Sequence, residues 1–276
     1  MRAQTSKRLY GTLAYVVTIL YVFPVLWLIM ASLKSENAAV ALPPQWIFAP
    51  SFAHYVQAFF NVNGGGYLHS LGNSVTAAAG GALLGLILGV PAAFALTLFP
   101  GKKDGNILFW LLSTKMMPMA GIIVPLYVIV RNLQLLDNIW VITLIYAGMS
   151  VPMVTWMMYS FFQEIPGEIW EAAQLDGLGP AQTLMRLVSP LLRTGISSSF
   201  LIMLVLNWNE FFVAVNLSYD HAATLPILIS GYMSSEGLFW AKMSAAGILS
   251  MLPILIVGWL VHKQFVRGMT FGAVKS

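Results

Sequence analysis

The sequence predicts an all-α integral membrane protein with six transmembrane helices and both termini in the cytoplasm. Three observations carry this. Of the 276 residues, 58% are hydrophobic and 9% are charged, against roughly a quarter charged in a soluble domain. Mean hydropathy is +0.78. Apolar stretches of about 20 residues, long enough to cross a bilayer, recur along the chain. These figures exclude a soluble enzyme, a disordered chain and a fibrous protein.

Six stretches meet the length criterion: residues 10–31, 70–98, 106–130, 139–162, 194–217 and 242–265. Together they predict a single transmembrane domain over 1–276. Pro24, Pro91, Pro118, Pro125, Pro152 and Pro253 fall inside them. Membrane helices tolerate such prolines because neighbouring groups re-satisfy the freed carbonyls. The first stretch has the basic start of a signal peptide, but its apolar run exceeds a usual h-region, so it reads as a retained span.

Orientation follows from Lys and Arg alone. With the N-terminus inside, Arg2, Lys7, Arg8, Lys102, Lys103, Arg186, Arg193, Lys263, Arg267 and Lys275 gather on the inner side. Lys34, Arg131 and Lys242 remain outside, and Lys115 lies within a span. The formal charge of +4 reflects these inner loops. No basic stripe with interleaved aromatics points to nucleic acid. With no cysteine, a disulfide or thiolate is excluded. His54, His69, His221 and His262 show no metal-ligand spacing, so no metal site is expected.

Residues 163–193 break the apolar pattern. They hold Glu164, Glu168, Glu171 and Asp176, and are too polar to span. Pro166 suits a helix start, and Glu168 and Glu171 favour its dipole. The helix should stop at Asp176-Gly177, where glycine can turn left-handed. Pro180 opens a second short helix that should end near Ser189-Pro190. Glu168, Glu171 and Gln174 share one face, and Ala172 and Ala173 permit close approach by another backbone. An amphipathic hairpin packed on its own bundle would show the same pattern.

The run Glu171-Ala172-Ala173, Asp176-Gly177, Leu187 and Pro190 resembles the EAA loop of ABC importer permeases; Ser189 departs from the usual leucine before the proline. The likeness extends over nearly the whole chain. It is similar to the second permease of the carbohydrate-importer group, the one like the smaller maltose-transporter permease. Phe23-Pro24-Val25-Leu26-Trp27, Asn207-Trp208-Asn209-Glu210 and the stretch from Gly268 to Lys275 fit that group. The stretches Ser113 to Pro118 and Glu236 to Lys242 resemble sorbitol/mannitol permeases in particular.

The resemblance implies the type I (MetI-like) permease fold in a bacterial inner membrane. It implies a second homologous permease as heterodimer partner, two ATPase subunits carrying ATP and Mg, and a periplasmic solute-binding protein. It assigns ATPase coupling to Glu168, Glu171, Ala172, Ala173, Asp176, Gly177 and Pro190. It assigns contact with the binding protein to loop 218–241, where Tyr219, Tyr232 and Trp240 stand out. It places the tail, Gly272 to Ser276, at the ATPase interface; a frayed terminus is the alternative. The chain itself has no phosphate loop, since Gly101-Lys102-Lys103 lacks the earlier glycine and the Ser/Thr. No cofactor and no catalytic residue of its own is therefore expected.

Lys115 and Glu210 are the interior charges, and intramembrane charges default to function. In straight helices they would lie about 14 Å and about 24 Å from the inner ends of their spans, too far apart vertically to pair directly. With Asn207 and Asn209 they are candidates to line a solute path; a structural pair is the alternative. Gly81, Gly85 and Gly89, every fourth residue, read as a helix-packing face. The competing function is an ion-gradient-driven secondary sugar transporter. That would call for several midplane acids and inverted repeats.

Overall fold

The computed structural model describes the backbone of residues 2–60, 66–234 and 237–271, and the side chains of 10–60, 66–233 and 239–260. Glu236 and the tail from Gly272 to Ser276 lie outside the described residues. The chain forms two compact units, Met1–Tyr67 with Leu228–Pro253, and Leu68–Ile227 with Ile254–Ser276.

The first unit begins with α1 (Arg2–Ser32), α2 (Glu36–Ala39) and α3 (Ala53–Phe60). The longest helix among the described residues, α4 (Gly66–Leu98), starts there and continues into the second unit. It stops where Pro100 biases the preceding residue away from helical geometry. The second unit continues with α5 (Asp104–Lys115), α6 (Met119–Asn132) and α7 (Ile139–Phe162). There follow α8 (Gly167–Leu175), α9 (Pro180–Gln182), a π-helical stretch (Thr183–Val188) and α10 (Ser189–Leu191). Then come α11 (Arg193–Trp208), α12 (Phe212–Leu217) and α13 (Leu225–Ser230). Back in the first unit, a two-residue antiparallel ribbon, β1 (Met233–Ser234) with β2 (Gly237–Leu238), precedes α14 (Trp240–Phe271), which runs on into the second.

Among the described residues, four helices are long and apolar enough to cross a membrane: Tyr10–Ser32, Gly66–Leu98, Ile139–Phe162 and Trp240–Leu260. Two bent pairs raise the number to six if each is one span. One pair is the third expected span; the other joins Pro180–Leu191 of the polar segment to Arg193–Trp208 at 84°, and the fifth expected span is interrupted separately after Trp208.

In the third, α5 and α6 meet at 83° across residues 116–118. Pro118 takes extended geometry at the start of α6. Of the six prolines read as tolerated, it is the one that breaks its helix; Pro24, Pro91, Pro125, Pro152 and Pro253 lie inside theirs. The fifth span stops at Trp208 and restarts at Phe212. There Asn209 bonds back to the Val205 carbonyl at 2.8 Å. The Glu210 carboxylate accepts the Val213 N–H at 3.0 Å. Such local side-chain bonds compete with the helical ladder. The straight-helix offset between Lys115 and Glu210 does not apply, because each sits at a break.

The second unit is organised by α4 against α7. The glycines at 81, 85 and 89 bring the two backbones together. A Cβ added to Gly81 would sit 2.6 Å from Tyr146 Cβ, one at Gly85 2.5 Å from Ser150 Cβ, and one at Gly89 2.7 Å from a Val154 methyl. Gly80 meets Thr143 in the same way at 2.8 Å. Near the C-terminal end of α7, Gly195 of α11 lies against the Phe161 ring, which an added Cβ would meet at 2.8 Å. Ile142, Tyr146, Val154, Met158 and Phe162 are all but fully buried. The glycine face thus packs within the subunit.

Gly85→Val should therefore cost about 1–3 kcal/mol, the usual range for overpacking. Thermal unfolding in detergent should show the lowered midpoint, while Gly72→Ala, with open space around the Cβ, should leave it unchanged.

Candidate coupling hairpin and outer latch

The polar segment folds as a helix–turn–helix. Pro166 has extended geometry before α8, and Glu168 occupies its first turn. The helix ends in a Schellman closure. Leu178 N–H donates to the Ala173 carbonyl and Gly177 N–H to the Gln174 carbonyl, both at 3.0 Å. Gly177 has φ +70°, a conformation in which a Cβ is strained. The second arm runs from Pro180 to Leu191. Pro190 offers no N–H to the Arg186 carbonyl, and the residues before it are wound as a π-helix instead.

The two faces of the hairpin differ. Ala173, Thr183 and Val188 are buried. Trp170 lies 5.7 Å from the Phe94 ring of α4, which meets Phe162 of α7 edge-on at 5.8 Å. Glu168, Glu171, Ala172, Asp176, Gly177 and Pro190 are exposed. Leu175 and Met185 stand beside them at 89% and 73% exposure, an apolar content unusual for a solvated face. A cavity of about 280 Å³ lies at the root of the hairpin, lined by Phe161, Glu164, Ile169 and Gly195 among others.

The candidate path residues separate. Asn207 is buried in the seam of α4, α7 and α11, donating to Ser150 Oγ at 3.2 Å and to the Ala78 carbonyl at 3.4 Å. Asn209 is exposed at the break before α12. Glu210 is half-buried there and accepts the Tyr146 hydroxyl at 3.2 Å. Lys115, at the other break, lines a cavity of about 500 Å³ with Thr114, Met117, Met149, Pro152 and Val213. Both broken spans thus border one cavity, through Lys115 and Met117 on one side and Val213 on the other.

At the opposite end of α7 stands a feature the sequence reading missed. Asp137 has φ +59°, and its carboxylate accepts four backbone N–H groups, those of Tyr219 (3.0 Å), Asp220 (3.2 Å), His221 (2.9 Å) and Ala222 (2.9 Å). Its own N–H donates to the Leu217 carbonyl at 2.8 Å. From α4, Asn73 donates to the His221 and Ala223 carbonyls, and Ser74 accepts the Leu225 N–H. His69 meets the same His221 carbonyl at 2.7 Å. The loop is thereby tied to α4 and to the α6–α7 turn. Burial alone would raise the Asp137 pKa, but the four backbone donors outweigh it and hold the carboxyl below its usual value. A polar residue in a Leu-Leu-Asp-Asn turn was the only local signal, and nothing in it names the partner 82 to 85 positions away.

Of the three aromatics expected at the outer loop, Tyr219 is 62% exposed on this latched segment. Trp240 is 47% exposed and Tyr232 half-buried, and both belong to the other unit.

Comparison with known proteins places this geometry. The fold matches the crystal structure of a bacterial ABC transporter that imports the acidic polysaccharide alginate, with TM-score 0.74, 21% identity, and coverage of 94% of this chain and 98% of that one. The chain belongs to the family of binding-protein-dependent transport system inner membrane components, whose pattern matches residues 81–270. It is 32% identical over 257 residues to the sulfoquinovosyl glycerol transport system permease protein SmoH of Agrobacterium fabrum, covering 92% of this chain and 89% of SmoH. It is 26% identical over 282 residues to the trehalose/maltose transport system permease protein MalG of Thermococcus litoralis, covering 100% of each. The chain is a permease component of the inner membrane and not itself an enzyme.

Replacing Asp137 with Ala should free the 219–222 amides, and hydrogen exchange should report faster exchange there with α7 unchanged. Because the folded pKa is lowered, the carboxylate's contribution is present above the ordinary carboxylate range. It is lost as pH falls through that range to the lowered value. Wild-type exchange at 219–222 should therefore rise selectively at acid pH, and the Ala variant should not show that pH step.

Proposed function

We propose that this chain is the permease of an ATP-driven, binding-protein-dependent carbohydrate importer, and that its hairpin couples an ATPase to alternating access. The observation that carries this is the exposed Glu168/Glu171/Leu175/Met185 face on a hairpin whose other face is wedged through Trp170 against Phe94 and Phe162. Glu171 acts as the charged anchor in a groove of the ATPase. The Schellman turn at Gly177 sets the angle between the arms. Movement of the docked hairpin reaches α4 and α7 through the aromatic contact, and rigid-body rocking of packed helices opens one side and closes the other.

The partners in this reading are a second homologous permease, two ATPase subunits that hold ATP and Mg, and a periplasmic solute-binding protein. The hairpin end, with Arg186 and Arg193, faces the cytoplasm, as do both termini. The latched loop faces the binding protein and presents Tyr219. The solute is a carbohydrate, supported by the sugars named for SmoH and MalG. The stretch from Ser113 to Pro118 favours a sugar alcohol such as sorbitol or mannitol. Lys115, which lines the cavity shared by the two broken spans, is the residue that meets the solute there. Membership of a binding-protein-dependent family weighs against the ion-driven carrier.

The test is ATP hydrolysis by the chain reconstituted in proteoliposomes with its ATPase, second permease and binding protein. Sorbitol or mannitol should stimulate hydrolysis at least several-fold. Glu171→Lys should abolish stimulation while insertion and yield stay normal; retained stimulation would sink the coupling role. Trp170→Ala should let the complex assemble and hydrolyse ATP but lower solute uptake per ATP. Stimulation by maltose and not by polyols would overturn the polyol assignment alone.

A further inference from the structure

Lys34 follows α1 by two residues and is 2% exposed. Its ammonium stands 5.4 Å from the Trp27 ring centroid and 5.1 Å from that of Phe48. Among the described residues no acceptor and no anion pairs with it beyond these ring faces. The side chain lines a pocket of about 350 Å³, walled by Trp27, Pro44, Trp240 and the backbone from Ala38 to Leu42.

The nearest acid in the sequence is committed elsewhere. Glu36 accepts the N–H groups of Ala241 (2.9 Å) and Lys242 (3.0 Å) at the start of α14. That bond also fixes Trp240 as a pocket wall. The result is a buried cation facing a cavity with no described anion. Aromatic faces supply part of the stabilisation a buried cation needs, and an oxyanion supplies the rest.

We propose that this pocket holds the phosphate of a phospholipid headgroup. Depth and rim decide the occupant. The apolar run Tyr10–Ser32 is 23 residues, or about 35 Å at helical rise, which carries Lys34 to the headgroup level of a bilayer. The rim is apolar and uncovered: Leu42, which lines the pocket, is 91% exposed, and Trp46, whose ring meets that of Trp27 at 5.6 Å, is 62% exposed. Below it, Phe23 and Leu20, one and two turns before Trp27 on the same side of α1, continue an exposed apolar track. Acyl chains fit that track while the phosphate meets Lys34. A hydrophilic protein partner would have to cover the same apolar rim. The proposal requires only that α1 spans the membrane and holds in either orientation, so it stands or falls apart from the coupling role.

Native mass spectrometry on the full chain, purified with its partner subunits and delipidated, tests it. Dioleoyl phosphatidylglycerol and dioleoyl phosphatidylethanolamine should both bind, and phosphate-free dioleoylglycerol should not. Lys34→Met should weaken phospholipid retention about tenfold, and Lys34→Arg should restore most of it. Unchanged retention in Lys34→Met overturns the site. So does full displacement of lipid by millimolar inorganic phosphate, which would make the ligand a free anion. Loss of binding-protein association at unchanged lipid retention would likewise overturn it, in favour of an acidic protein contact. If Lys34→Met fails to insert, Trp240→Leu, which opens the pocket wall, must show the same weakening or the proposal fails.

Discussion

The close approach of α4 to α7 is the constraint on which the second unit depends. Glycines at 80, 81, 85 and 89 remove every side chain that would hold the two backbones apart. Lipid offers no hydrophobic drive for helix association, so shape and buried hydrogen bonds must provide it. Asn207 supplies the latter by reaching across the seam to Ser150 and the Ala78 carbonyl. The same α7 carries the Tyr146 hydroxyl that meets Glu210, and the Phe162 ring that meets Phe94. One helix therefore links the break in the fifth span to the hairpin.

The breaks at 116–118 and 209–211 interrupt apolar stretches, and irregular backbone at membrane depth is viable only where protein or an aqueous cavity covers it. Here both breaks border the cavity that Lys115 lines. At each break a different chemistry interrupts the helix. Pro118 imposes extended geometry on one. At the other, Glu210 takes the Val213 N–H into a local bond. A polar side chain at Asn209 or Glu210 thus has a structural task whatever its part in transport.

The ends of α7 are tied in contrasting ways. The hairpin end relies on aromatic contact and a glycine turn, and leaves charged and apolar side chains uncovered. The far end relies on a single carboxylate that collects four amides. The first arrangement can move as a body with little loss of hydrogen bonding. The second holds a loop in one conformation, because any displacement strips several charge-assisted bonds at once.

The sequence by itself determined the class, the bounds of the helix Ile139–Phe162, and the helix–turn–helix of the polar segment. Composition shows where lipid must be. Pro166, Gly177 and Pro180 write helix ends through backbone geometry that needs no distant partner. The every-fourth glycines likewise announced a packing face, since spacing alone defines it. The tertiary structure decided the rest. Span length and hydropathy do not distinguish a continuous helix from a broken one, so the breaks at 116–118 and 209–211 were hidden. Asn207 read as a path residue because its burial depends on Ala78 and Ser150, far away in the chain. The sequence reading singles out Lys34 only as an outer-side charge and does not single out Asp137. Their roles arise from backbone amides of another loop and from the rings of Trp27 and Phe48, and only folding brings those groups within reach.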